Sequence, residues 1–150
     1  MIKSTIVSNK HLLFALRLAL GFVFVFAGLE KISNPEKFAV AIENYKIMPV
    51  IFINFIAIIL PFLELITGLL LIFGICVKEN IFIINLLLTL FILLVAIAIS
   101  RGLDIECGCF GTNDGQKAGL QKIIENLFML LLGLLIFFFD KNPFKIGKSL

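Results

Sequence analysis

Apolar residues in this chain fall into four long runs, at about residues 12–29, 50–76, 81–100 and 120–139, divided by short polar segments. Each run is continuous, and each is close to or above the roughly 20 residues that an α-helix needs to cross a hydrocarbon core about 30 Å thick. Membrane strands would instead alternate apolar and polar residues in pieces of about ten. The pattern therefore predicts an all-α integral membrane four-helix bundle. Between the first two runs, SNPEKFAVAIENYKIMP follows a different rule. Asn34 suits an N-cap and Pro35 the first helical position, and Phe38, Ile42 and Tyr45 recur at helical spacing. This segment is expected to form a short amphipathic helix on the membrane surface, with Met48-Pro49 turning the chain into the second span. Pro61 removes a backbone donor inside the second run and should kink or tilt that helix.

Composition leads to the same class. Of 150 residues, 61% are hydrophobic and only 15% are charged, and the mean hydropathy is +1.13. A soluble domain needs a polar shell that this chain cannot supply, so the expected surroundings are a lipid bilayer. The length suits one domain over residues 1–150. With 17 phenylalanines and no tryptophan, any interfacial aromatic belt rests on Tyr45 and phenylalanines. A net charge of +3, without a basic block, gives no footprint for nucleic acid. Lys3 and Lys10 before the first run imitate a signal peptide. The nearby small-x-small site, Ala39-Val40-Ala41, lies beyond Glu30, Lys31 and Lys37, so the run is kept as an uncleaved span.

Four spans put both termini on one side of the membrane with the short connection near Lys78. That side carries Lys3, Lys10, Lys78, Lys141, Lys145 and Lys148. The other carries Lys31, Lys37, Lys46, Arg101, Lys117 and Lys122, together with most of the acids. The counts tie, but the terminal side packs its cations into fewer residues, which favours it as cytoplasmic. The expectation is a bacterial inner-membrane protein with both termini cytoplasmic.

The polar loop RGLDIECGCFGTNDG, residues 101–115, then faces the oxidising side, where disulfide chemistry persists. It holds Cys107 and Cys109, two of only three cysteines, separated by Gly108. A ring this small would be strained and exchange-prone, and Gly108 removes the side chain that would obstruct the turn. Redox chemistry at Cys107 and Cys109 is the leading expectation. Binding of Cu(I) by both thiolates is the competing chemistry, and unreactive loop cysteines the bland one. Nearby Arg101 and Lys117 would lower a thiol pKa, whereas Asp104, Glu106 and Asp114 would oppose that. No resident metal is assigned.

Ionisable residues inside spans are the other candidates. Arg17, Gly21, Phe24, Gly28 and Lys31 lie on one stripe of the first helix. Glu64 lies in the second span with Gly68 one turn on, and the three glycines allow close helix approach. Arg17–Glu64 is the preferred buried pair, with Arg17 snorkelling to the headgroups as its rival. In the third span, Asn85, Thr89, Ala96 and Ser100 form a small, polar stripe expected to face neighbouring helices. Glu125 of the fourth span could handle protons during thiol exchange, but pairing with Lys122 or Lys31 is preferred.

Three segments together, RLALGFVFVFAGLEKISNPEKFAVAIENYKIMP (17–49), LPFLELITGLLLIFG (60–74) and CGCFG (107–111), resemble the MauE/DoxX family of redox-associated four-helix membrane proteins. The Cys-Gly-Cys-Phe-Gly loop looks more like the MauE branch. That resemblance implies thiol or sulfur redox at the membrane. MauE-type proteins are associated with maturation of a disulfide-rich periplasmic dehydrogenase, and DoxX-type relatives with thiosulfate:quinone oxidoreduction. The expected partner is an exported thiol/disulfide client or a periplasmic thioredoxin-like protein. Quinone is the cofactor to consider, in an apolar interhelical pocket with a few polar groups. The alternatives are a non-enzymatic membrane subunit or assembly factor of a redox complex and, third, copper handling. A membrane-impermeant thiol reagent applied to intact, pre-reduced cells should label Cys107 or Cys109 and spare Cys76; the opposite labelling would reverse the orientation.

Overall fold

The structure, a computed structural model, describes residues 10–102 and 120–139. Five helices follow in chain order: α1 (Lys10–Ser33), α2 (Pro35–Asn44), α3 (Val50–Phe73), α4 (Val77–Ser100) and α5 (Leu120–Phe139). All except α2 are long and apolar enough to cross a membrane. The 24 residues of α3 and of α4 extend about 36 Å at 1.5 Å per residue, which spans the hydrocarbon core with room for tilt. The chain is an all-α, multi-pass membrane bundle, and no strand occurs among the described residues.

The helix ends follow local chemistry more closely than they follow hydropathy. α1 continues past the expected residue 29 and carries Glu30 and Lys31 as far as Ser33. It stops only where Pro35 pushes the preceding Asn34 out of the helical region, to φ −135°. Pro35 then opens α2, and the Asn34 carbonyl accepts the Phe38 N–H at 3.2 Å. α3 runs unbroken through the buried Pro61 and ends at Phe73 rather than residue 76. Gly74 adopts φ 73°, its N–H reaches the Leu71 carbonyl at 3.2 Å, and the Ile75 N–H reaches Leu70 at 2.9 Å. That is a Schellman stop, and it needs the glycine. α4 begins at Val77, four residues earlier than expected, because buried Asn80 holds the turn together. Its amide donates to the Ile75 and Cys76 carbonyls at 2.8 and 3.0 Å.

α1 and α3 make the most extensive contact, followed by α4 and α5. The α1–α3 contact is backbone against backbone. A Cβ on Gly21 would lie 3.0 Å from the Gly68 carbonyl oxygen, one on Gly68 2.8 Å from the Gly21 oxygen, and one on Gly28 2.8 Å from the Pro61 oxygen. As α1 numbers rise, the facing α3 numbers fall, so the pair is antiparallel. The expectation of close approach at these three glycines holds. On the other side, Gly133 of α5 receives the side chain of Asn85.

Leu20, Phe24, Leu71, Ile81, Ile84 and Ile136 form the main core, around the half of the bundle nearest the 74–76 turn. Outside, large apolar side chains such as Phe26 (68% exposed) and Ile51 (78%) cover the surface, as lipid contact requires. The polar stripe of α4 does not behave as expected. Asn85 meets α5, but Thr89, Ala96 and Ser100 are exposed. Four residues advance a helix by about 40° beyond a full turn, which carries this stripe off the buried line of Ile81, Ile84, Leu88 and Val95. Thr89 and Ser100 satisfy their hydroxyls within α4, on the Asn85 and Ile97 carbonyls, both at 2.8 Å, so neither needs a partner helix.

Gly68→Ala should lower stability by about 1–3 kcal/mol, because the atoms in the way are backbone and cannot swing aside. Thermal unfolding in detergent would measure it, and an unchanged melting temperature would mean that α1 and α3 are farther apart than described.

Candidate functional site

Lys31 lies in the last turn of α1 and Glu64 in the second half of α3. Side chains on a helix lean toward its N-terminus. In an antiparallel pair, Lys31 therefore leans into the membrane while Glu64 leans up toward α2, and the two meet. The Lys31 ammonium donates to both carboxylate oxygens of Glu64, at 2.7 Å to Oε1 and 2.6 Å to Oε2. Their side chains are only 7% and 11% exposed. α2 covers the pair: the buried ring of Phe38 lies 5.3 Å from the ammonium, a cation–π contact. Thr67, one turn from Glu64, turns its hydroxyl back onto the Leu63 carbonyl at 2.7 Å.

This corrects the expected Arg17–Glu64 pair. Gly21 and Gly28 set the register, and by that register Arg17 lies level with the last turn of α3, about 12 Å or more from Glu64 along the axis. Its side chain also leans the other way. Arg17 does not snorkel into lipid either, being 1% exposed with its guanidinium over the Phe14 ring at 5.2 Å. Glu125 takes the preferred alternative: its carboxylate accepts from Lys122 at 2.9 Å and from Gln121 at 3.2 Å. It does not pair with Lys31, which is held by Glu64.

Beside the Lys31–Glu64 pair is a cavity of about 330 Å³ between α2, α3 and α4, with contributions from α1 and α5. Its wall is apolar, from residues such as Phe24 and Phe91, except where Lys31, Glu64, Tyr45 and Asn126 contribute. Tyr45 is 6% exposed and packs against Ala98 and Leu94 near the end of α4. Burial pushes its pKa up to about 12, so the phenol stays neutral at physiological pH. Asn126 is 2% exposed and donates to the Lys122 carbonyl at 2.7 Å.

Of the residues singled out from sequence, the fold brings Lys31 and Glu64 together and leaves Arg17 and Glu125 apart from them. Cys107, Gly108 and Cys109 lie outside the described residues. Asn126 was missed. Its signal was an amide one turn beyond Lys122 on the same helix face, the last polar residue before a run that is apolar to the end of α5. The sequence places Tyr45 on the surface helix, and only its packing against Leu94 and Ala98 of α4 shows it facing a cavity.

Residues 9–139 match the family described as Methylamine utilisation protein MauE. The chain belongs to the MauE family. It is 31% identical over 126 residues to Methylamine utilization protein MauE of Paracoccus denitrificans, covering 83% of this chain and 67% of the relative. It is 28% identical over 153 residues to Protein TlpB of Flavobacterium psychrophilum, covering 92% of this chain but only 41% of TlpB. No solved structure matches the chain.

In this MauE-family chain, Lys31→Met should cost about 3–5 kcal/mol, because it strands a buried carboxylate. Lys31→Met with Glu64→Met should recover most of that loss. Arg17→Gln and Glu64→Gln should add without coupling. Melting of the variants in detergent gives both cycles, and coupling between Arg17 and Glu64 would contradict the register described.

Proposed function

We propose that this chain is a membrane-embedded thiol–disulfide redox protein whose working pair is Cys107 and Cys109. The observation that carries the reading is where the Cys-Gly-Cys falls. It belongs to the connection between Ser100 and Leu120, and the last turns of α4 pack against Tyr45 at the end of the bundle that holds α2, the Lys31–Glu64 pair and the cavity. Membership of the MauE family and the resemblance to redox-associated membrane proteins support the same chemistry. Methylamine utilisation is named for the Paracoccus relative; no residue described here points to that substrate.

In the proposed reaction a thiolate of an exported client attacks the Cys107–Cys109 disulfide and forms a mixed disulfide. The client's second thiolate resolves it, leaving the client oxidised and Cys107 and Cys109 as a dithiol. Two electrons and two protons then pass to a membrane quinone, which becomes quinol and regenerates the disulfide. The client is an exported protein or a periplasmic thioredoxin-like protein, and the chain sits in the inner membrane with both termini cytoplasmic.

Cys107→Ser and Cys109→Ser should each abolish oxidation of exported thiol proteins in cells that depend on this chain, without reducing membrane insertion. In each single variant the remaining thiolate should also attack a client already in its disulfide form, giving a mixed disulfide that reductant releases. Full complementation by both variants would overturn the reading and leave a non-enzymatic assembly subunit. A pair that never oxidises but binds Cu(I) stoichiometrically would leave a metal site.

A further inference from the structure

The cavity beside Lys31 and Glu64 has the character of a ligand site. At about 330 Å³ it is far larger than the voids that close packing leaves, and it falls within the range of small-molecule pockets. It reaches the outer surface of the bundle, because Leu90 and Ile47 line it while being 50% and 42% exposed. A ligand dissolved in the bilayer could therefore enter sideways.

The polar part of the wall narrows the choice of ligand. An ammonium has three donors, and Glu64 takes two of those of Lys31. A buried ion pair is often no more stabilising than apolar side chains of the same volume. Ionisable groups within spans mark functional sites by default. Here the pair forms part of the wall of a lipid-accessible cavity, so the remaining donor of Lys31 suits a hydrogen-bond acceptor on the ligand. That acceptor should be neutral, since a carboxylate head would face the carboxylate of Glu64. A plain acyl chain would use the apolar wall and leave the polar groups without a role.

We propose that this cavity binds a lipid-soluble ring carbonyl of the quinone class. The ring lies in the cavity, one carbonyl oxygen accepts a hydrogen bond from Lys31, Glu64 holds Lys31 in position, and the isoprenoid tail leaves past Leu90 into the bilayer. The choice of quinone rests on the redox reading above; binding itself does not require the cysteines.

The chain carries its own probe, because Tyr45 lines the cavity and is the sole tyrosine in a sequence without tryptophan. Purified protein reconstituted in phosphatidylcholine vesicles, which add no fluorescent side chain, would be titrated with a benzoquinone and a naphthoquinone, each bearing one isoprene unit, while tyrosine emission is followed with inner-filter correction. Saturable quenching is expected with at least one of them. Apparent affinity should fall roughly tenfold or more in Ala41→Phe, which fills the cavity, and in Lys31→Met with Glu64→Met, which removes the donor without stranding a charge. Cys107→Ser with Cys109→Ser should leave quenching intact. Quenching that never saturates, that ignores both cavity changes, or that a short-chain saturated phospholipid displaces equally well would overturn the site. Saturable quenching in a protein whose dithiol never reduces the bound quinone would support the site and overturn the redox reading. Client oxidation without any saturable quenching would do the reverse.

Discussion

The close approach of α1 and α3 is the constraint on which the rest of this bundle depends. Lipid is as apolar as leucine, so helices in a membrane gain nothing from leaving solvent and must be held by contact and by polar groups. At Gly21, Gly28 and Gly68 the two backbones come so close that no Cβ fits. That contact fixes the axial register, and the register decides which charges can meet. A slip of one turn, about 5.4 Å, would pull Lys31 away from Glu64 and leave two charges in hydrocarbon. Close packing and the ion pair therefore enforce one another.

The cavity follows from what happens next along the chain. α3 and α4 are joined by three residues, 74–76, and the core formed by Leu71, Ile81 and Ile84 fills the space near that turn. At the opposite end α2 lies across the bundle, with Phe38 over Lys31 and Tyr45 against Ala98. The space between these two fillings is lined by side chains from all five helices and is not itself filled.

Much of this was legible in the sequence. Continuous apolar runs gave the four spans, and Asn34-Pro35 gave the start of α2, because both signals are local. The span ends were less legible. Hydropathy ended the first span at residue 29, but α1 buries Lys31, and only the Pro35 constraint ends it. The stop at Gly74 was available from the left-handed preference of glycine but was hidden within a longer apolar run. The ion pair was misassigned because stripe membership alone does not distinguish Arg17 from Lys31. Side-chain lean in an antiparallel pair does distinguish them, once Gly21 and Gly28 set the register. The cavity and the role of Asn126 depend on how α2, α4 and α5 pack, and no local pattern records that.

The two parts of the proposed chemistry require shared geometry more than shared residues. Thiols that exchange with exported proteins must lie outside the hydrocarbon, whereas a quinone stays within it. A four-span chain has two ends, and only one connection, between Ser100 and Leu120, carries the paired cysteines. The cavity could have opened toward either end. Its polar groups, Lys31 from the end of α1, Tyr45 after α2 and Asn126 from the second turn of α5, all belong to the end where that connection begins and finishes. Among the buried cations Arg17, Lys31 and Lys122, Arg17 alone lies toward the opposite end, with its guanidinium over the Phe14 ring. The Lys31–Glu64 pair is neutral as a unit, which lets charged groups remain at depth without drawing in water. It is also the arrangement that keeps a donor oriented toward an uncharged acceptor.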